Sequence, residues 1–239
     1  MGPSGPFFFT PLFVALGWWL SHHRHRFGEN NVRLDFRIPF SITPRLALDG
    51  LLHPRWTLGV FARTLLTSGV PRFANLYEEV GPPITQEPAH GLRTGRDALT
   101  WDDMGWLRDR WRGRLILKGV MHPQDAQRAA MTGMDAIMVS NHGGRQLDAT
   151  IAPIQALPSV IRAVPSTLPV FVDGGVRRGA DVLKAVALGA KMVFTGRAPL
   201  YGVAVAGHAG ARHALEILRA EIDRNMALLG CASLDDVGP

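Results

Sequence analysis

The sequence places a potential base and a potential carboxylate ligand together after an apolar segment. Residues 140–145 read Ser-Asn-His-Gly-Gly-Arg and directly follow the apolar run Ala-Ile-Met-Val. A histidine such as His142 can accept a proton near neutral pH, and an arginine such as Arg145 presents a planar fork that matches a carboxylate. The two glycines between them allow the backbone to approach a ligand closely. This combination predicts an enzyme that acts on a small acid.

Two other segments combine glycine with arginine. Residues 173–179 read Asp-Gly-Gly-Val-Arg-Arg-Gly and precede a predicted helix, and Gly196-Arg197 follow a separate apolar segment. Glycines expose backbone N–H groups, and the first turn of a helix attracts anions. We therefore expect these paired loops to bind a phosphate, although each glycine could simply form a tight turn.

Lys118 ends a further apolar segment, Leu-Ile-Leu-Lys. A lysine there is costly unless it is paired or faces a site, although its chain could also extend to solvent. A lone histidine such as His142 is more often a satisfied structural residue than a base. Polar residues recur at the ends of successive apolar segments, and this recurrence favours a functional role for both Lys118 and His142.

The hydrophobic pattern from residue 115 onward predicts four strand–helix units. Short, nearly all-apolar strands of this kind are typical of parallel sheets buried on both faces. The carboxyl ends of such strands share one face, either in a (βα)8 barrel or in a doubly wound sheet, and the pattern leaves both open. The predicted strands are 115–118, 136–140, 170–173 and 192–195, and the predicted helices are 123–132, 153–164, 179–188 and 209–229.

The chain before residue 110 is less regular. Thr100 and Asp103 have the spacing of a capping box, which predicts a helix from Thr100 to about Trp111. Residues 28–100 are rich in Arg, Pro and Gly, and only short helical patches such as 57–66 are expected there. We expect this part to be an irregular excursion without a core of its own.

Composition limits the classes of protein. The chain has 239 residues, is 46% hydrophobic and carries a net charge of +6, so it can form a sizeable core and attract anionic partners. Its arginines are scattered, so no nucleic-acid partner is expected. Cys231 is the single cysteine and is predicted to be a packing residue, which excludes an internal disulfide and fits a reducing compartment. No metal site is expected, since His22, His23 and His25 are interpreted as a solvated basic patch.

Residues 6–20 are largely apolar but too short for a membrane span, which needs about 20 residues. They lack the basic start of a signal peptide. They could form a buried segment, a membrane-touching anchor or the non-native start of a truncated chain, and we favour the last interpretation.

These motifs resemble the FMN-dependent α-hydroxy-acid dehydrogenases and oxidases, which include flavin-type L-lactate dehydrogenase, mandelate dehydrogenase and glycolate oxidase. The resemblance covers residues 100–237, with a looser match over 29–76. It rests on Leu-Ile-Leu-Lys-Gly, Ser-Asn-His-Gly-Gly-Arg-Gln-Leu-Asp, Val-Asp-Gly-Gly-Val-Arg-Arg-Gly, Thr-Gly-Arg and Met-Ala-Leu-Leu-Gly-Cys, which begin at residues 115, 140, 172, 195 and 226.

The resemblance implies a role for each matching residue. His142 would take a proton from an L-2-hydroxy acid of the lactate or mandelate type, and Arg145 would hold its carboxylate. Lys118 would lie by the N1/O2 edge of FMN and stabilise negative charge there, and Ser140 would contact the flavin. The ribityl chain and phosphate would be held by Asp173, Gly174, Gly175, Val176, Arg177, Gly196 and Arg197.

The resemblance also implies the fold class, α/β, with the C-terminal half of a TIM (β/α)8 barrel preceded by an irregular, partly helical segment. Residues 1–26 would be an atypical apolar N-terminus, and 27–239 a partial FMN hydroxy acid dehydrogenase domain with its core at 100–237. The first four strands of the family's barrel are not matched, so an inactive remnant and a phosphate-binding or membrane-associated module remain alternatives. We expect a cytoplasmic protein, peripheral to the inner membrane if it serves a quinone, and a homo-oligomer if the full barrel is completed.

Overall fold

The computed structural model describes residues 40–74, 79–86 and 99–238. Its contacts divide the chain into two compact units, with the boundary at Leu99 rather than near residue 110 as expected. The assignment of 27–239 to one domain stays a prediction.

The unit that contains residues 99–238 is built on a four-stranded parallel sheet. The strands are β1 (Ile116–Val120), β2 (Ala136–Val139), β3 (Val170–Asp173) and β4 (Met192–Phe194), and they are hydrogen-bonded in the order β1-β2-β3-β4. A doubly wound sheet would reverse its strand order, whereas strands that follow one another in sequence are typical of a barrel. The predicted half of a TIM (β/α)8 barrel is therefore confirmed.

Helices alternate with these strands. We label them α3 (Trp101–Arg110), α4 (Pro123–Met131), α5 (Pro153–Arg162), α6 (Gly179–Ala187) and α7 (Arg197–Leu229). Thr100 begins α3 with the predicted capping box, in which Thr100 Oγ1 accepts from Asp103 N (3.4 Å) and Asp103 Oδ2 accepts from Thr100 N (2.7 Å). The core lies between the sheet and the helices, where Leu117, Ile137, Leu157 and Val160 are almost fully buried.

The predicted start of the last helix was wrong. The helix was expected from Ala209, but α7 begins at Arg197 and is interrupted at Ala206 and Gly207, whose backbone angles are not helical. Gly207 has a φ of 56°, which permits the reversal, and Gly202 and Gly210 then contact each other directly. Glycines weaken a helical pattern, so the sequence around Gly202, Gly207 and Gly210 did not indicate the first arm of α7.

The other unit includes residues 40–74 and 79–86. Its helices are α1 (Pro44–Leu52) and α2, a continuous helical segment made of Pro54–Trp56, a π-helical turn Thr57–Ala62 and Arg63–Ser68. The helical patch expected at 57–66 is confirmed, whereas α1 was not predicted. Among the described residues of this unit only Gly81 is buried, which agrees with the expectation that the unit lacks a core. In the described parts of the chain, no helix is long and apolar enough to cross a membrane.

Candidate functional site

Three polar side chains meet at the carboxyl ends of neighbouring strands. Lys118 Nζ lies 2.7 Å from Asp173 Oδ2 and donates a hydrogen bond to Ser140 Oγ over 2.6 Å. Lys118 and Asp173 are each about one-fifth exposed, and Ser140 is almost fully buried. An ammonium group has three N–H donors. Two of them are used here, so the third is left for a ligand.

The turn after β2 holds His142 beside this cluster. His142, Gly143 and Gly144 all have positive φ, at 56°, 68° and 75°, and His142 is the one non-glycine residue with positive φ among those described. This conformation costs a residue with a Cβ about 1–2 kcal/mol. The turn is held in place because Ser140 Oγ accepts from His142 N over 3.1 Å and Asn141 Oδ1 accepts from Gly143 N over 2.9 Å.

The environment keeps the His142 imidazole neutral. Burial is the main cause that lowers the pKa of His142 below its ordinary value, and the positive charges of Lys118 and Arg145 lower it further, while Asp173 opposes them. Within the described residues, neither ring nitrogen of His142 makes a hydrogen bond with another side chain or with the backbone. A neutral imidazole with free nitrogens can accept a proton from a ligand.

Arg145 lies at the exposed end of the same turn. Its backbone N donates to His142 O over 3.4 Å, so the turn holds the backbones of these two residues close together. The positive charge of Arg145 contributes to the lowered pKa of His142, and a guanidinium group can bind an anionic ligand such as a carboxylate.

The loop 173–179 differs from the expected anion site at a helix N-terminus. Asp181 Oδ2 accepts from Arg177 N and Arg178 N at 3.0 and 2.9 Å, and Glu221 Oε2 accepts from Gly179 N at 2.7 Å. Carboxylates therefore already accept from the amides of Arg177, Arg178 and Gly179, so these three amides are not free to bind a phosphate.

Open space instead lies beside Gly175 and Gly196. Apart from the adjacent residues in the chain, no atom of the described residues lies within 4 Å of the position that a Cβ would take at Gly175 or Gly196, so a ligand could approach the backbone there. Arg197 follows Gly196 and donates from Nη2 to Gly143 O over 2.9 Å, which links the end of β4 to the His142 turn. A phosphate would therefore be bound by the glycine backbone and by guanidinium groups.

Two buried polar atoms at these strand ends make no hydrogen bond within the described residues. Asp173 Oδ1 and Thr195 Oγ1 are inaccessible to solvent, and no hydrogen bond reaches them from the described part of the chain. Unpaired buried acceptors are costly, and hydroxyl-rich ligands can satisfy them. A ribityl chain carries several hydroxyl groups, so the residues present fit FMN.

The residues that support the site were not among those predicted from the sequence. Asn141 Nδ2 donates to Ile151 O over 3.3 Å, while Asp181 and Glu221 fix the start of α6. Only Asp181 gave a usable signal, because it lies three residues after Arg178 at the position of a capping-box acid. Glu221 lies 42 residues from its partner Gly179, and no local pattern predicts such a contact.

No group of three His, Cys, Asp or Glu residues that could hold a metal ion occurs in the described residues. His22, His23 and His25 lie outside those residues, so the interpretation of a basic patch stays a prediction. Cys231 is partly exposed, and its Sγ lies 3.7 Å from Asp236 O.

The chain belongs to the family of FMN-dependent dehydrogenases. The model of this family matches residues 15–239. The resemblance inferred from the strand-end motifs is confirmed, and with it FMN as the family's cofactor. Dehydrogenases and oxidases occur among the relatives, as expected for an oxidoreductase family.

Curated relatives have several activities. The chain is 38% identical to (S)-mandelate dehydrogenase of Pseudomonas putida over 89% of its length and 52% of that protein's length. It is 44% identical to pre-mycofactocin synthase of Mycobacterium tuberculosis over 95% of its length and 56% of the relative. It is 49% identical to L-lactate oxidase of Nostoc over 59% of its length and 38% of the relative. The chain thus spans about half the length of the curated relatives it matches.

Solved structures show the same relationship. A structure of monotopic membrane protein (S)-mandelate dehydrogenase matches 88% of this chain and 55% of its own, with a TM-score of 0.74 and 35% identity. A soluble mutant of the membrane-associated Pseudomonas putida enzyme matches 60% of this chain and 41% of its own, with a TM-score of 0.58 and 42% identity.

Proposed function

We propose that this protein takes part in FMN-dependent oxidation of an L-2-hydroxy acid of the mandelate or lactate type to the 2-oxo acid. The observation that carries the proposal is the position of His142, kept neutral, beside the Lys118–Ser140–Asp173 cluster. The relatives named for mandelate and lactate support this class of substrate.

FMN would be held along the strand ends. Lys118 would place its remaining N–H and its positive charge against the flavin, and the Ser140 hydroxyl, which already accepts two hydrogen bonds, would donate to it. Asp173 Oδ1 would accept from a ribityl hydroxyl. The remaining contacts to the ribityl chain and phosphate would come from Gly174, Gly175, Val176, Arg177, Gly196 and Arg197. When bound, FMN supplies the two-electron acceptor that no side chain provides.

His142 would take the hydroxyl proton of the substrate. Its neutral imidazole is ready to accept a proton, and the nearby Asp173 carboxylate stabilises the imidazolium that results. The hydrogen bonds of the left-handed turn fix the backbone of His142, which limits the positions that its imidazole can take.

Arg145 would bind the substrate carboxylate. Its place at the exposed end of the His142 turn allows an acid to enter with its carboxylate toward solvent and its hydroxyl toward the imidazole. A planar fork also fixes the orientation of the acid, because both carboxylate oxygens are held.

A second candidate is the reaction of pre-mycofactocin synthase. The identity to that relative, 44% over 95% of this chain, exceeds the 38% identity to mandelate dehydrogenase over 89%. In that case the reaction would be the one for which that relative is named, and the flavin site would be the same. A third possibility, the binding of FMN without turnover, follows from the match to only half of each relative.

We also propose that the protein is peripheral to a membrane and passes electrons to an acceptor there. The support is the match to a monotopic (S)-mandelate dehydrogenase. A homo-oligomer is proposed for a chain in which the full barrel is completed.

The test is to mix purified protein with FMN, desalt it and expose it without oxygen to L-lactate, (S)-mandelate and (S)-mandelate methyl ester. We expect a retained flavin absorbance that bleaches with one free acid and much more slowly with the ester, which lacks the carboxylate. Retained flavin that no free acid bleaches would favour the second or third candidate. Loss of flavin on desalting would contradict the proposal.

A further inference from the structure

The loop between β3 and α6 carries two adjacent arginines that differ in their contacts. Arg178 Nη2 lies 2.7 Å from Glu221 Oε1, so a carboxylate of α7 neutralises this guanidinium. The guanidinium of Arg177 makes no ion pair or hydrogen bond with the described residues, and only its backbone N has a partner. Arg177 is therefore the arginine of this loop that is available to an anion.

Glu221 also holds the backbone at the start of α6. Its second oxygen, Oε2, accepts a hydrogen bond from Gly179 N over 2.7 Å, so one carboxylate contacts two consecutive residues. The Glu221 side chain is 15% exposed, whereas that of Arg178 is 73% exposed. An ion pair with an exposed arginine stabilises little, so the hydrogen bond from the Gly179 amide is the more important contact.

The same contacts keep the Glu221 carboxylate ionised. The hydrogen bond from the Gly179 amide is the main cause that lowers the pKa of Glu221, and Arg178 lowers it further, while burial opposes them. An ionised carboxylate accepts hydrogen bonds more strongly than a neutral group, so the contact with Gly179 is a firm one.

Gly179 allows α6 and α7 to meet closely. It is buried, and a Cβ at this position would lie only 2.6 Å from Ile222 N and from Glu221 Cβ. The missing side chain therefore lets the start of α6 rest on the backbone of α7. This close approach brings the Glu221 carboxylate within reach of the Gly179 amide, although the two residues are 42 positions apart.

A second carboxylate fixes the preceding residues of the loop. Asp181 Oδ2 accepts from Arg177 N and Arg178 N at 3.0 and 2.9 Å, so carboxylates from two helices bind three consecutive amides. The guanidinium of Arg177 and the open space beside Gly175 remain for a ligand. These are groups to which the proposed function gives contacts with the ribityl chain and phosphate of FMN.

From these observations we infer that Glu221 is a positioning residue for the binding of the flavin phosphate. It holds Gly179 and Arg178 against α7, and this contact keeps the loop in the conformation that presents Arg177 and the Gly175 backbone to the phosphate. The inference rests on the proposed function, which supplies the phosphate. It assigns Glu221 to the phosphate end of the cofactor and not to the flavin ring, which is proposed to lie near Lys118.

The test compares FMN with riboflavin, which lacks the phosphate, by fluorescence titration of the purified chain. We expect Glu221→Ala to weaken FMN binding at least about 10-fold and riboflavin binding less than about 2-fold. Glu221→Gln keeps an oxygen that can accept from Gly179 N, so its FMN affinity should stay within about 3-fold of wild type. Glu216→Gln is the matched control, because Glu216 also lies on α7 but pairs with the exposed Arg212.

Two further measurements need no flavin. Hydrogen exchange in the ligand-free chain should be at least about 10-fold faster at the Gly179 amide in Glu221→Ala than in wild type and in Glu216→Gln. Titration with inorganic phosphate, followed by the NMR signal of Arg177 Nε–H, should show weaker binding in Glu221→Ala. Urea unfolding of each variant separates local loosening of the loop from a loss of global stability.

The inference is overturned if Glu221→Ala weakens FMN and riboflavin binding by the same factor, if exchange at the Gly179 amide is unchanged, or if Glu216→Gln has the same effects. A wild-type chain that binds neither flavin would contradict the proposed function, and the phosphate titration then decides on Glu221. Phosphate binding that Glu221→Ala weakens supports its positioning role, whereas no response of Arg177 to phosphate in wild type overturns it.

Discussion

Lys118 and Asp173 form an ion pair across the strand that separates them. Lys118 is on β1 and Asp173 ends β3, and their Nζ and Oδ2 atoms lie 2.7 Å apart above β2. The pair leaves Asp173 Oδ1 unsatisfied and places two opposite charges near His142, where the ammonium lowers and the carboxylate raises the pKa of the imidazole. One contact thus connects the proposed cofactor contacts with the proposed base.

Lys118→Met is expected to raise the pKa of His142. The variant removes a positive charge that lowers this pKa, while Asp173, which raises it, remains. As the pH falls, His142 would then become protonated at a higher pH, and the acid limb of the pH profile of kcat/KM would move to higher pH. Titration of the His142 ring resonance by NMR measures this shift without turnover. The exposed His213 provides the control, and an unchanged or lowered pKa of His142 would contradict the electrostatic account.

Thr195→Val should have opposite effects on the free and the FMN-loaded protein. The buried Thr195 hydroxyl has no hydrogen-bond partner among the described residues, so removing it should stabilise the free chain by about 1 kcal/mol. If a ligand hydroxyl normally satisfies this atom, FMN affinity should fall roughly 2–10-fold. Urea unfolding and fluorescence titration measure the two effects. Thr132→Val is the control, because Thr132 Oγ1 already donates to Arg128 O. If Thr195→Val bound FMN as tightly as wild type, Thr195 would not contact the cofactor.

Arg145→Lys is expected to raise the KM for a 2-hydroxy acid about 10–100-fold, with a smaller effect on kcat. Lysine keeps the charge but loses the second parallel hydrogen bond of the guanidinium fork. Steady-state kinetics with the free acid and with its methyl ester provide the measurement. Wild type and Arg145→Lys should turn over the ester equally poorly. If the substitution reduced kcat/KM equally for the acid and the ester, Arg145 would not bind the carboxylate.

Gly202→Ala should destabilise the fold by about 1–3 kcal/mol through overpacking. A Cβ at Gly202 would overlap the carbonyl group of Gly210, and this backbone cannot move away easily because both arms of α7 are helical. Gly105→Ala is a matched control within α3, where nothing lies within 4 Å of the new methyl group. Gly105→Ala should stabilise the protein by about 0.5–1 kcal/mol. Similar urea midpoints for both variants would contradict the close contact between the arms.

The sequence was sufficient to predict the sheet because each strand is short, apolar and followed by a polar group. The strand β3 was predicted at 170–173 and is observed there, and the other three strands differ by at most two residues at an end. The chemistry-bearing residues could also be predicted, because parallel strands bring Lys118, Ser140 and Asp173 to one edge of the sheet.

The remaining features depend on contacts between residues distant in sequence. The interaction of Glu221 with Gly179 and the closure of α7 at Gly202 and Gly210 have no local pattern. The carboxylate contacts at the start of α6 could not be predicted for the same reason, because one of these carboxylates comes from α7. The left-handed His142 was also not foreseen, although two following glycines indicated an unusual turn.

The most direct test of the account compares the wild-type protein with His142→Asn. Asparagine tolerates the left-handed conformation of this position, so the turn should be retained while the proton acceptor is lost. Both proteins are loaded with FMN and mixed without oxygen with (S)-mandelate and with L-lactate, and His213→Asn serves as the control. We expect both variants to retain flavin. With at least one acid, His142→Asn should bleach about 100–10,000-fold more slowly than wild type and His213→Asn. Equal bleaching rates in all three proteins would contradict the role of His142 as the base.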